Sequence, residues 1–348
     1  MADAIDLVSQ LIALPGPPGE EAAVRLWLLD RLLTMDYDAV NDAKGNVLVH
    51  LPGRADRPSV VVTAHMDEIA LMITRVEDDG KIRVAASGGV FTWKWGEGPV
   101  EILASNGFLP GVLSYGCIHT NASSSVVEHA RSNPLNWERA YIFTGKNAME
   151  LAASGVRPGL RVALARSRRV VMEFGNFIGS YFLDDRADLA VWLLALEALR
   201  HDPIPEAGNI IFLATTSEEV GGEGAQFHLG RHPTDICVAL EIGPKTPEAD
   251  FAIDSQPTIW VRDGYAAMAA VDGDLLRDCC AELEQNPHWQ YLSRGGSDAS
   301  CSAARGLIAR PVTLGFPTEN SHGYEIMHRD APGELTRLLL KYLRTVYL

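Results

Sequence analysis

SVVVTAHMDE, residues Ser59–Glu68, is the stretch on which the fold turns. Its first half is an apolar run, β-branched from Val60 to Thr63, with the length and composition of a buried strand. Its second half breaks into His65, Asp67 and Glu68. Open α/β sheets place their sites just beyond such strand ends. The pattern recurs downstream. NIIFLA (Asn209–Ala214) runs into TTSEEVGGEGA, ICVAL (Ile236–Leu240) ends at Glu241, and a strand-like run over 309–314 precedes NSHGYE, which contains His322. Between these runs lie helical stretches at 186–199, roughly 275–283 and 334–347. Two more come earlier, one with Ile5, Val8, Leu11 and Ile12 on one face, and one over 20–34 after the break LPGPPG. This alternation predicts an α/β fold, a sheet with helices on both faces.

The middle of the chain reads differently. From about residue 70 to 176 it offers SGGV, WGEGPVEI, NGFLPGVL and GVRPGLRV, short strand-like pieces cut by glycine, with helix only at 148–154. A discontinuous α/β domain (1–69 and 177–348) interrupted by a small β-rich domain (70–176) is the expected organisation. Val90, Phe91, Trp93 and Trp95 are expected on the insert's surface, as an interface would require.

Composition narrows the class. Hydrophobic residues make up 47% and charged residues 22%, the balance of a globular chain able to bury a core. A net charge of −15 argues against nucleic acid or anionic membrane as partners. The five cysteines form no CxxC pair, and the amino terminus lacks the basic region of a signal peptide, so reduced thiols and a cytoplasmic location are expected.

Acids and imidazoles gather at the predicted strand ends. His65 and Asp67, spaced i and i+2 in extended chain, project the same way, and a carboxylate on the second imidazole nitrogen fixes a ligating tautomer. Asp184 and Asp185 in FLDDRAD read either as ligands or as N-caps of the following helix. Glu218 and Glu219 repel each other at a strand end unless something positive compensates them, or unless the loop is simply solvated. Glu241 is costly there unless paired or metal-bound. Taken together, separated strand ends supply the mix of oxygen and imidazole donors that a pair of divalent cations needs.

HMDEIALMI, LDDRAD, SEEVGGEGA, VALEIG and SHGYE, with KGNV, GVRPGL and GGSDAS, resemble in order the motif series of the M42 glutamyl-aminopeptidase family of metallopeptidases. That resemblance implies a metallo-exopeptidase-type mixed sheet with an inserted dimerisation domain, and two divalent metal ions per subunit: zinc first, cobalt or manganese as alternatives. His65, Asp184 and Glu241 would hold one ion, Asp184, Glu219 and His322 the other, with Asp184 bridging. Glu218 would be the general base and Asp67 would orient His65. It also implies a cis peptide between Asp184 and Asp185, short peptides as substrates, and a dimer-based homo-oligomer such as a tetrahedral dodecamer. Two departures stand out: Glu241 occupies a position that is usually Asp, and residues 118–137 match no family pattern.

Spacing separates the two closest readings. An M20-like amidohydrolase acting on N-acyl amino acids would carry its extra domain before the final histidine. Here 119 residues separate His65 from Asp184, and only 81 separate Glu241 from His322. The insert therefore sits where M42-like enzymes carry theirs. A non-catalytic metal-binding assembly protein would be expected to have lost Glu218 or a histidine, and this chain keeps them.

Overall fold

The computed structural model describes residues 3–117, 119 and 132–347. It falls into two compact units, Met1–Glu68 with Val170–Leu348, and Ile69–Arg169. In the larger unit the strands are β1 (Ala39–Asn41), β2 (Val47–Leu51), β3 (Val60–His65), β10 (Met172–Phe174), β11 (Phe177–Tyr181), β12 (Ile210–Thr215), β13 (Ile236–Pro244), β14 (Thr258–Arg262), β15 (His288–Tyr291), β16 (Arg310–Glu319) and β17 (Tyr324–His328). They form one sheet in the order β1-β2-β12-β3-β13-β16-β17-β11-β10, with β14 and β15 branching from β16. The central four, β12, β3, β13 and β16, are parallel, and antiparallel strands flank them. Their carboxyl ends point one way, which gathers the polar segments on one edge of the sheet.

Helices cover both faces of this sheet, as strands without polar positions require. On one face Trp192 of α5 (Leu183–His201) packs edge-on against Phe212 at 5.6 Å and donates its Nε1–H to the Val62 carbonyl. Trp192 is fully buried, and its truncation to Ala would cost about 3–5 kcal/mol. α1 (Ala4–Ile12) and α9 (Ala331–Thr345) pack against α5. On the other face Val61, Leu213 and Ala239 meet Leu229 of α6 (Glu223–Leu229) and Ala299 of α8 (Asp298–Ala303). Neighbouring residues of one strand thus face opposite layers, as the two-residue period dictates. α2 (Ala22–Thr34) follows the Pro/Gly break, and α7 (Ala270–Glu282) packs on α9.

One strand overruns its expected end. β13 does not stop at Glu241 but continues to Pro244, paired with β16 as far as Thr318. Its pairing with β3 stops at Ala239, so the second edge is open beyond that point and tolerates proline. Glu241 therefore stands inside a strand, just past the point where β3, still paired with β12, stops pairing with β13. Gly315 lies opposite, where a Cβ would come within 1.9 Å of the Glu241 carbonyl oxygen.

The smaller unit is a closed barrel, β4-β5-β8-β7-β6-β9, built from β4 (Ala70–Val76), β5 (Ile82–Ser87), β6 (Gly98–Ala104), β7 (Gly107–Ser114), β8 (Tyr141–Phe143) and β9 (Arg161–Leu164). Closure leaves no free sheet edge. Of the four apolar residues expected on its surface, Phe91 and Trp93 are exposed and stacked at 4.6 Å, but Val90 and Trp95 are buried. The reason is local. The single helical turn Thr92–Trp95 swings Trp95 inward onto Trp137, whose Nε1–H donates to the Val90 carbonyl. Most of the unmatched stretch 118–137 lies outside the described residues. All five cysteines are free thiols, and among the described residues no helix is long and apolar enough to cross a membrane.

Candidate active site

His65 closes β3, and its backbone N–H donates to Asp185 Oδ2 at 2.7 Å. Its Nδ1 lies 3.1 Å from the Asp67 carbonyl and 3.5 Å from the Asp67 carboxylate. Its Nε2 faces Asp184 Oδ1 at 3.0 Å. The second oxygen of Asp184 faces His322 Nε2 at 3.4 Å, and that nitrogen is 3.8 Å from Glu219 Oε2. Asp184 thus carries one histidine on each carboxylate oxygen. Donor atoms of His65, Asp184, Asp185 and Glu241 all lie within 4.8 Å of one another, as do those of Asp184, Glu219 and His322. The fold brings together all five residues named as ligands and adds Asp185, which follows a cis peptide. Glu218 is buried beside them but belongs to neither group.

The backbone that carries these side chains is held by other carboxylates. Asp67 accepts the N–H of Glu218 on Oδ1 (2.9 Å) and of Glu219 on Oδ2 (3.1 Å), besides lying against His65. Glu325 on β17 accepts the N–H of Asp184 (3.1 Å) and of His322 (2.8 Å). Arg186, fully buried, pairs with Glu68 at 2.9 Å and donates to the Met66 carbonyl, fixing the chain between His65 and Asp67. Left-handed backbone marks the same turns: Phe182, Ser217, Asn320 and His322 all have φ between 55° and 65°. Non-glycine residues adopt this conformation only where their surroundings enforce it.

The electrostatics demand a counter-charge. Burial pushes Glu218 well above the usual carboxylate range, with Asp298, Glu219 and Asp67 adding repulsion. Burial and then Asp184 do the same to Glu241, and burial lifts Glu219 to about 7 although His322 pulls it back. Asp184 goes the other way: burial opposes its charge, but hydrogen bonds from His322 and His65 outweigh that and hold it well below the usual range. Burial pulls the His65 imidazole down, yet Asp185, Asp184 and Asp67 overcome it and hold it well above its ordinary value. So many carboxylates cannot ionise together in a dry site without added positive charge. Asp185 Oδ1, buried and without a hydrogen-bond partner, is one acceptor left open. A divalent cation in each donor group fits this set.

Sequence reasoning weighed Asp185 as a ligand or a cap without assigning it, and passed over Asp188, Asp298 and Glu325. Each is an acid inside a quoted motif, and each is buried. Asp298 accepts the Thr215 hydroxyl at 2.6 Å and is lifted to about 6 by burial. Their common signal is an acid one to three residues from a ligand-type residue or within GGSDAS.

The M42 glutamyl aminopeptidase family model matches residues 45–338. This chain belongs to that family. As an M42 member it is a peptide hydrolase of the aminopeptidase class. It is 24% identical to a glutamyl aminopeptidase of Lactococcus lactis subsp. cremoris over 92% of this chain and 90% of the relative. It is 27% identical to a lysyl aminopeptidase of Pyrococcus furiosus over 68% and 66%. Among solved structures, the TET1 peptidase of Pyrococcus horikoshii, described as assembling into a tetrahedron or a large octahedral shell, superposes with a TM-score of 0.84 at 23% identity over 97% of this chain and 98% of that one. A TET aminopeptidase from a marine sediment Thaumarchaeota archaeon gives 0.87 at 19% identity over 99% and 97%. These likenesses establish the M42 fold for both units.

Proposed function

We propose that this M42 chain is a two-metal aminopeptidase that removes N-terminal residues from short peptides, with Glu218 as its general base. One observation carries the reading. Asp184 presents one oxygen to each histidine, and Glu241 and Glu219 stand in the two donor groups on either side. His65, Asp184 and Glu241 would hold one divalent ion, zinc first and cobalt or manganese as alternatives; Asp184, Glu219 and His322 would hold the other. Cations held there would supply Lewis-acid stabilisation of the negative charge that develops on the scissile carbonyl. Glu218, buried and outside both donor groups, takes the proton of the attacking water and returns it to the leaving amine. A base so placed contributes about 10²–10⁴ in rate. Asp67 holds the Glu218 backbone and lies against His65, which fixes base and ligand relative to each other. The acidic surroundings attract a free α-ammonium group, which favours a chain end over an internal bond.

Glu218→Gln tests the assignment. Turnover of aminoacyl chromogenic substrates should fall by at least about 10² while two ions per chain remain bound. Loss of an ion with activity would make Glu218 a ligand instead. The same reading takes the chain as a cytoplasmic homo-oligomer built on barrel-to-barrel dimers. The exposed pair Phe91 and Trp93, with Phe108 and Phe143, supports it. Light scattering checks it: a monomer with full activity at micromolar concentration would contradict it.

A further inference from the structure

Glu21 has no place in the chemistry so far, yet it is 4% exposed and carries a carboxylate. It sits at the N-cap of α2 without capping that helix. Its Oε1 instead accepts the backbone N–H of Ser217 (3.2 Å), the Ser217 hydroxyl (3.3 Å) and the N–H of Gly19 (2.7 Å). Ser217 immediately precedes Glu218 and has φ of 55°, the left-handed region. The next two amides, those of Glu218 and Glu219, are held by the two oxygens of Asp67. Three consecutive N–H groups therefore point into two buried carboxylates, the concave backbone arrangement that binds anions.

We infer that Glu21 is a positioning residue that locks the Ser217 turn so that Glu218 faces the water and Glu219 faces the donor group. Neighbouring like charges make the arrangement expensive: burial raises Glu21 and Asp67 raises it further. A carboxylate serving only to end a helix would gain nothing from such a location. Asp67 alone leaves the first amide of the turn unheld, and an unheld Ser217 can leave the left-handed region, rotating the Glu218 backbone. Small misplacements of a catalytic group cost up to about 10² in rate. The gap between Pro17–Pro18 and α2 is the segment that brings Glu21 across to this turn.

The proposal rests on Glu218 being the base, so its test includes a readout that does not depend on that. Glu21→Ala should raise hydrogen–deuterium exchange over residues 216–220 at least tenfold and lower kcat about 10- to 100-fold. KM should stay within about threefold and metal content at the wild-type value. Glu21→Gln keeps the accepting Oε1 and should restore exchange protection and at least a third of kcat. Unchanged exchange in the Ala variant overturns the proposal, as does faster exchange with unchanged kcat. Equal loss in the Gln and Ala variants overturns it too, because the lock would then not be the accepting oxygen. If Glu218→Gln proves active, the base assignment fails while the exchange result still reads the lock.

Discussion

The two donor groups share Asp184 and differ in almost everything else. Two members of the inner group stand on strands, His65 at the end of β3 and Glu241 inside β13, while Asp184 and Asp185 occupy the non-helical start of α5. The His65 side chain is 2% exposed. The outer group hangs on turns, with Ser217 just before the glutamates and His322 itself in the left-handed region. The His322 side chain is 31% exposed. Sites on strands and helices are held more precisely than sites on loops. An ion in the inner group should therefore exchange slowly, and one in the outer group should respond to solvent, chelator and the clamps on its turns.

The largest expected effect removes what the two groups share. Asp184→Ala should empty both, lowering activity to background, as read by metal analysis and peptide turnover. Next come the separate ligands. His65→Ala and Glu241→Ala should each cost the inner ion, weakening it by more than the roughly 10- to 100-fold that loss of a supporting residue causes. His322→Ala should cost only the outer ion. Glu241→Asp should keep metal and measurable activity. If Glu241→Ala keeps the inner ion, Asp185 holds it, and Asp185→Asn in that background should then release it. Asp254, a further acid downstream of Glu241, is engaged by His288 at 2.9 Å. A smaller difference is kinetic: on dilution into chelator the first equivalent should leave at least about tenfold faster than the second.

The smallest effect separates loss of ions from loss of fold. The buried His228 imidazole is pushed down to about 4, by burial and then by His232. Unfolded histidine takes a proton near 6.5, whereas the folded one does not until near 4. Stability is therefore complete above about 6.5 and falls as pH drops from about 6.5 towards 4, by up to about 3 kcal/mol. Thermal unfolding of the cation-free protein should show this slope, and His228→Gln should flatten it. A slope that survives the substitution would belong to other groups.

The inner group was also the more legible one. Buried strands of Val, Ile and Leu that stop abruptly at His65 announced the sheet and its polar edge, and a run such as SVVVTAHMDE has few other uses. Glu241 was visible but misplaced at a strand end, whereas β13 runs on to Pro244 and loses only one of its two neighbours beyond Ala239. Asp185 was hidden by its neighbour: one of two adjacent aspartates before a helix passes for a cap. Glu21 was invisible for a further reason. It holds a backbone amide 196 residues away, and no local spacing encodes such a contact. In the barrel, a period-blind reading of aromatic residues put Trp95 on the surface that a single helical turn takes inside.

Calorimetric titration of the cation-free protein with zinc tests the shared-carboxylate site most directly. Two equivalents are predicted, the tighter lost in His65→Ala, the weaker in His322→Ala and both in Asp184→Ala. A single equivalent in the wild type, or one that survives in Asp184→Ala, would contradict it.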